Sequence, residues 1–145
     1  MPNHCHNRVE IYGEPEEIKK IKNQLKTAET DFDFDTVIPT PNFNKIPNDK
    51  GELPTKIDSP IGSLTQFSDG SQDDRWYHWH IDNWGTKWNS YECEIEDESD
   101  EMIRYTFDTA WGPPVGVIDK LRELYPAVSV TAFYDEPGME VAGYL

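Results

Sequence analysis

The sequence predicts an α+β fold: an antiparallel sheet with two helices on one face, extra strands and a long irregular insertion. Three observations carry this. Short stretches alternate apolar and polar residues with the period of two that a half-buried strand shows, as in HCHNRVEIY at residues 4–12. Two other stretches place apolar residues at helical spacing just behind prolines. Between them lies a long segment with neither period.

In chain order, His4–Tyr12 is the first strand. Cys5, Asn7, Val9 and Ile11 point one way, and His6, Arg8, Glu10 and Tyr12 the other. Gly13 ends it. Pro15 opens a helix whose early Glu16 and Glu17 suit the positive end of the dipole. Its buried stripe is Ile18, Ile21, Leu25 and Ala28, and lysines cover the wet face. Asp31–Ile38 at first alternates aspartate with phenylalanine and reads as a second strand, with Phe32 and Phe34 inward and Asp31, Asp33 and Asp35 outward. Residues from Pro39 to about Asp74 carry Pro47, Pro54, Pro60, Gly51, Gly62 and Gly70 and too few apolar residues for a core of their own. Trp76–Asn83 is expected to be a short helix started by Ser71 or Asp73 and stopped at Gly85; a strand is the alternative. Tyr91–Glu96 alternates again, with Tyr91, Cys93 and Ile95 inward and Glu92, Glu94 and Glu96 outward. Met102–Ala110 returns as its partner. Gly112-Pro113-Pro114 opens a second helix with Val117, Ile118, Leu121 and Leu124 as its stripe. Ala127–Tyr134 and Met139–Leu145 close the chain as a hairpin about the turn Asp135–Gly138. Two βα units feeding an antiparallel sheet make a ferredoxin-like layout, one domain over residues 1–145 with a Pro/Gly-rich and Trp-rich insertion at about 39–90.

Composition narrows the function. The chain of 145 residues is 36% hydrophobic and 12% aromatic, too aromatic for disorder, and its net charge is −15. That charge repels phosphate backbones and disfavours direct nucleic-acid binding. It suits docking on a basic surface, although solubility is the commoner use of acidic charge. No apolar stretch reaches the length of a membrane span, and no signal-peptide pattern opens the chain. Cys5 and Cys93 fall within strands. A cytoplasmic protein with reduced thiols and no cofactor is expected.

Catalytic and metal signatures are weak. His4, Cys5 and His6 are adjacent, and His78 and His80 are two apart, but no C-x₂-C pair and no H-E-x-x-H is present. Neither cysteine sits at a helix N-terminus, where a thiolate would be favoured. Asp31, Asp33 and Asp35 begin like a calcium loop, yet the Gly and the distal Glu are missing. The expectation is therefore a binding protein rather than an enzyme, with no catalytic or metal residues. A metal-binding protein or enzyme using the His and Cys residues is the alternative, and an accessory structural module a further one.

The acid does follow a pattern. Asp31, Asp33 and Asp35 line one expected strand face and Glu92, Glu94 and Glu96 another, with carboxylates two residues apart spaced roughly 6.5–7 Å. Such rows could imitate a phosphate backbone toward a basic cleft; a solvated sheet face is the plainer reading. WYHWHIDNWGTKWN at 76–89 holds four of the five tryptophans. It either supplies core to a chain short of aliphatics, the favoured reading, or forms a partly exposed aromatic platform around Lys87. Trp84, Lys87, Trp88 and Trp111 are the anchor candidates.

Several motifs resemble one family. Met1-Pro2-Asn3-His4-Cys5-His6-Asn7 resembles the M-P-N-W-C-x-N opening of phage- and plasmid-borne proteins with a YubB-type ferredoxin-like domain, with His4 where the family usually has Trp. Asn83–Asn89 resembles that family's N-W-G-T-K-W-N, and Phe107–Pro114 its F-x-T-A-W-x-P-P. Tyr134–Gly138 followed by Gly143 is similar to its Y-x-E-x-G…G ending. The resemblance implies a ferredoxin-like domain carried by a mobile element in a bacterial cytoplasm, and brings no catalytic residues. By analogy of habitat and charge, the expected partner is a host protein with a basic surface, such as a nucleic-acid-handling or defence complex that the protein would inhibit, as anti-CRISPR proteins do.

Overall fold

The computed structural model describes residues 3–60 and 62–145. Along the chain come β1 (His4–Tyr12), α1 (Pro15–Leu25), β2 (Thr55–Ser59), β3 (Gly62–Gln66), α2 (Arg75–Asn83), β4 (Tyr91–Ser99), β5 (Met102–Ala110), α3 (Val115–Leu124), β6 (Ser129–Glu136) and β7 (Val141–Tyr144). The main sheet is antiparallel in the order β4-β5-β1-β6-β7, and β2 and β3 pair separately. Strands β6, β1, β5 and β4 with helices α1 and α3 reproduce the ferredoxin-like arrangement; β7 extends it by one strand.

The alternation of β1 holds throughout: Cys5, Asn7, Val9 and Ile11 are buried, while His4, His6, Arg8 and Tyr12 are exposed. In α1 the stripe is Ile18, Ile21 and Leu25. The helix stops at Leu25, so Ala28 lies beyond it and is exposed. In α3, Val117, Ile118 and Leu121 are buried and Leu124 is exposed. These side chains cover one sheet face together with Ile103, Tyr105 and Phe107 of β5 and Val130 and Ala132 of β6.

Residues 31–38 do not form the predicted strand. They make a 3₁₀ turn at Phe34–Thr36, and Phe32, Asp33 and Phe34 are all buried in succession, which alternation forbids. The cause is Asp33. Its carboxylate accepts the Asp35 amide (2.9 Å) and the Asn89 side-chain amide (2.8 Å), and its backbone carbonyl accepts the Thr36 hydroxyl (2.7 Å). Aspartate that satisfies the backbone two residues on bends a chain out of a ladder. The bend turns both phenylalanines inward. Phe32 meets Tyr105 (5.1 Å) and Phe107 (4.9 Å), and Phe34 meets Trp84 (5.5 Å) edge-on. The ferredoxin-like second strand is β4, after the insertion.

The insertion is less irregular than predicted, since it contains the β2–β3 hairpin. Arg75, at the start of α2, ties it down. Its guanidinium donates to both oxygens of Asp73 (2.8 and 2.9 Å) and to the carbonyls of Phe43 (2.8 Å) and Pro47 (3.3 Å), between the rings of Phe43 and Phe67. Helix α2 spans the predicted residues. It seats against α3 because Gly116 has no side chain: a Cβ there would lie 1.9 Å from the Asn83 carbonyl oxygen. Gly85 ends the turn at φ +89°, in the left-handed region that favours glycine.

Candidate partner-binding site

The tryptophan-rich stretch divides into core and surface. Trp84 is 1% exposed, so it is not an anchor; it is core, donating its indole N–H to the Ile38 carbonyl (2.9 Å). His80 stacks on it at 3.9 Å and is fixed by Thr40 (3.1 Å) and the Lys87 carbonyl (2.7 Å). Burial lowers the His80 pKa, so the imidazole is held neutral. Trp76 and Trp79 are half-buried. Trp88 is 39% exposed, and the Lys87 ammonium lies 4.6 Å from its ring and 5.5 Å from that of Tyr77. The lysine thus sits between Tyr77 and Trp88.

Trp111 is 52% exposed at φ +70°, a conformation uncommon for a bulky residue. Its amide is held by the Asn3 carbonyl (2.8 Å). The Thr86 hydroxyl donates to the Ala110 carbonyl (2.8 Å) and the Gly116 amide to the Trp84 carbonyl (3.1 Å), so the loops bearing Trp88 and Trp111 abut.

The aspartates do not join the glutamates on one face. Asp33 is buried, Asp31 is half-buried, and Asp35 is exposed but accepts the backbone amide (2.9 Å) and hydroxyl (2.6 Å) of Thr40. The second row is where the alternation places it: Glu92, Glu94 and Glu96 are exposed. So are Asp97, Glu98, Asp100 and Glu101, which makes the β4–β5 hairpin the most acidic part of the surface. Its counterions are Arg104, near Glu96 (3.5 Å) and Asp97 (3.9 Å), and Lys22 on Glu98 (2.7 Å). Two register shifts, between Tyr91 and Glu94 and between Ile95 and Asp97, break the even ladder that a phosphate-like row would need. They also bend this edge away from pairing with another strand.

Neighbouring strands complete an open face that the sequence order did not reveal. His6 lies opposite both Asp108 of β5 and Asp135 of β6. Its Nδ1 is 2.6 Å from Asp108, while His4 Nδ1 is 2.6 Å from the Tyr91 hydroxyl. Tyr91 was expected inward, but the register shift after it leaves it with these open-face residues. The Arg8 guanidinium lies over Phe133 (5.2 Å). Burial pushes the Glu10 carboxyl up, but hydrogen bonds from Arg104 and Tyr12 outweigh it and its pKa falls. Between β4 and β6 this face holds an open groove of about 330 Å³, lined by Glu92, Glu96, Asp108, Asp135, His6 and Phe133 among others. The outward residues of β1 were legible by alternation; their partners, about a hundred residues away, left no local signal.

Among the described residues, no three His, Cys, Asp or Glu side chains are placed to hold a metal ion. Both cysteines are free thiols. Burial pushes the Cys5 thiol up to about 11 and raises that of Cys93 as well, which keeps both protonated. Among the described residues no helix is long and apolar enough to cross a membrane.

The fold and its open acidic face define the class: a ferredoxin-like α+β domain with an uncovered sheet face. In agreement, residues 87–145 match a family described as the ferredoxin-like domain in Api92-like protein. That stretch supplies β4, β5, α3, β6 and β7, and the middle strand β1 comes from outside it. No curated protein matches the chain, and neither does any solved structure.

Proposed function

We propose that this is a non-enzymatic binding protein of a phage or other mobile element, which docks on a basic surface of a host protein in the bacterial cytoplasm. The observation that carries the reading is the β4–β5 hairpin. Its carboxylates from Glu92 to Glu101 are all exposed, and among the described residues only Arg104 and Lys22 answer them. On a chain of net charge −15, such a projection steers a basic partner toward one side of the molecule. Trp88 and Trp111 supply exposed aromatic contacts of the kind that anchor interfaces, and the half-buried Lys87 sets a cation against Trp88. The motif resemblance to YubB-type proteins supports the mobile-element origin. Basic surfaces are commonly those that handle nucleic acid, which favours an inhibitory role against a nucleic-acid-handling or defence complex. The reading rests on charge at the hairpin, not on a copied phosphate spacing.

The test is retention of purified host nucleic-acid-handling proteins on the immobilised chain at low and high salt, beside the variant Glu94→Gln/Glu96→Gln/Glu98→Gln. A basic protein held at low salt, shed at high salt and held less by the variant supports the proposal. Retention that ignores both salt and the three substitutions overturns it.

A further inference from the structure

We infer that the groove on the open sheet face receives a single arginine side chain of the protein partner. This rests on the reading above, that the partner is a basic protein, and names the chemistry that one site would recognise.

The inference begins from how charge on this face is matched. Asp108 has His6, and Glu96 and Glu10 share Arg104. Arg8 is turned to Glu10 (3.5 Å) and lies over Phe133. Two carboxylates of the groove, Glu92 and Asp135, have no hydrogen bond or ion pair among the described residues. They stand on opposite walls. Asp135 lies directly across from His6, which has its Nδ1 on Asp108 instead. Glu92 lies at the first register shift of β4, at φ +51°. A bulge of this kind re-aims a side chain, and here Glu92 joins the groove lining.

The spacing of the walls selects the cation. Strands β5 and β1 lie between β4 and β6, so the two backbones are roughly 14 Å apart at 4.7–4.9 Å per strand. A glutamate reaching in from one wall and an aspartate from the other leave a gap that a planar guanidinium bridges with one N–H edge on each. An ammonium is a point charge and reaches one wall at a time. The half-buried Phe133 ring already carries one guanidinium, that of Arg8, so the face accepts this group against an aromatic surface.

Titration of the full chain with blocked hexa-arginine and hexa-lysine peptides at physiological salt tests this, followed by backbone amide shifts. The inference expects the arginine peptide to bind about fivefold more tightly, with shifts centred on His6, Glu92 and Asp135. Glu92→Gln/Asp135→Asn should abolish that preference. Glu98→Gln/Glu101→Gln removes the same charge from the hairpin and should weaken both peptides alike while keeping it. Equal binding of the two peptides, or equal loss in both variants, overturns the groove and leaves hairpin steering standing. Failure of both peptides to bind also overturns the groove; the retention experiment then decides separately whether the basic-partner reading falls with it.

Discussion

Two stretches of this chain alternate acid with apolar side chains, D-F-D-F-D at 31–35 and Y-E-C-E-I-E at 91–96, and they end in opposite roles. The first folds into the core as a 3₁₀ turn with Phe32, Asp33 and Phe34 all buried. The second stays a strand and keeps its glutamates in water. The difference lies in the side chains that alternate. Aspartate is short enough to accept an amide two residues ahead, as Asp33 does from Asp35, and this competes with ladder pairing. Glutamate has one more methylene and lacks that local closure. The apolar partners differ as well: two phenylalanines have enough surface to draw a loop inward, whereas Cys93 and Ile95 are only half-buried at an edge. Alternation reports a sheet face only where the polar residue has no nearer way to satisfy the backbone.

The contrast can be broken most strongly at the apolar positions. Phe34→Ala should cost about 3–5 kcal/mol of unfolding free energy in urea, since it empties a site packed by Trp84 and Phe107. Ile95→Ala should cost about 2 kcal/mol, because only part of that side chain leaves water. Equal losses would mean that the two stretches contribute alike to the core.

At the acidic positions, Asp33→Ala strands the donors of Asn89, Asp35 and Thr27 and should cost about 2–3 kcal/mol. Glu94→Ala should stay within about 0.5 kcal/mol. Within the second stretch alone, Glu94→Gly should lose about 1 kcal/mol from added chain entropy. Glu92→Gly should be near neutral, because glycine relieves the left-handed backbone there. Thermal melting of the pair reads this directly.

The smallest effect belongs to the insertion between the two stretches. His80 has a lowered pKa in the folded chain, so its contribution is full above the ordinary value of 6.5 and is lost as pH falls below it. Wild type should therefore weaken slightly between about pH 7 and 5, and His80→Gln should flatten that part of the curve. An unchanged slope in the variant would show that His80 does not carry it.

Much of this fold was legible because one side of each element is wet. In β1 every second residue is buried, and α1 and α3 each carry a clear stripe. The β2–β3 hairpin escaped notice for the opposite reason: most of its residues are exposed on both faces, so no period was imprinted. The candidate site was half readable. Glu92, Glu94 and Glu96 stood out by repetition, and Trp88 and Trp111 by residue type. Asp135, Phe133 and Asp108 carry no local signature, because their meaning depends on lying beside His6 and Arg8 in the sheet.

The separation of β4 from α1 has a consequence for how such a domain can diversify. Residues 39–74 connect Ile38 to Arg75, none of those described belongs to the hydrophobic core, and Thr40 on His80 and the Phe43 carbonyl on Arg75 already hold the two ends close. Closing a flexible connection costs only about 0.6 kcal/mol more for each doubling of its length. A segment of this size can therefore be lengthened, shortened or exchanged there with little penalty to the sheet. The junction is a permissive port: the scaffold can stay constant while what is mounted on it changes.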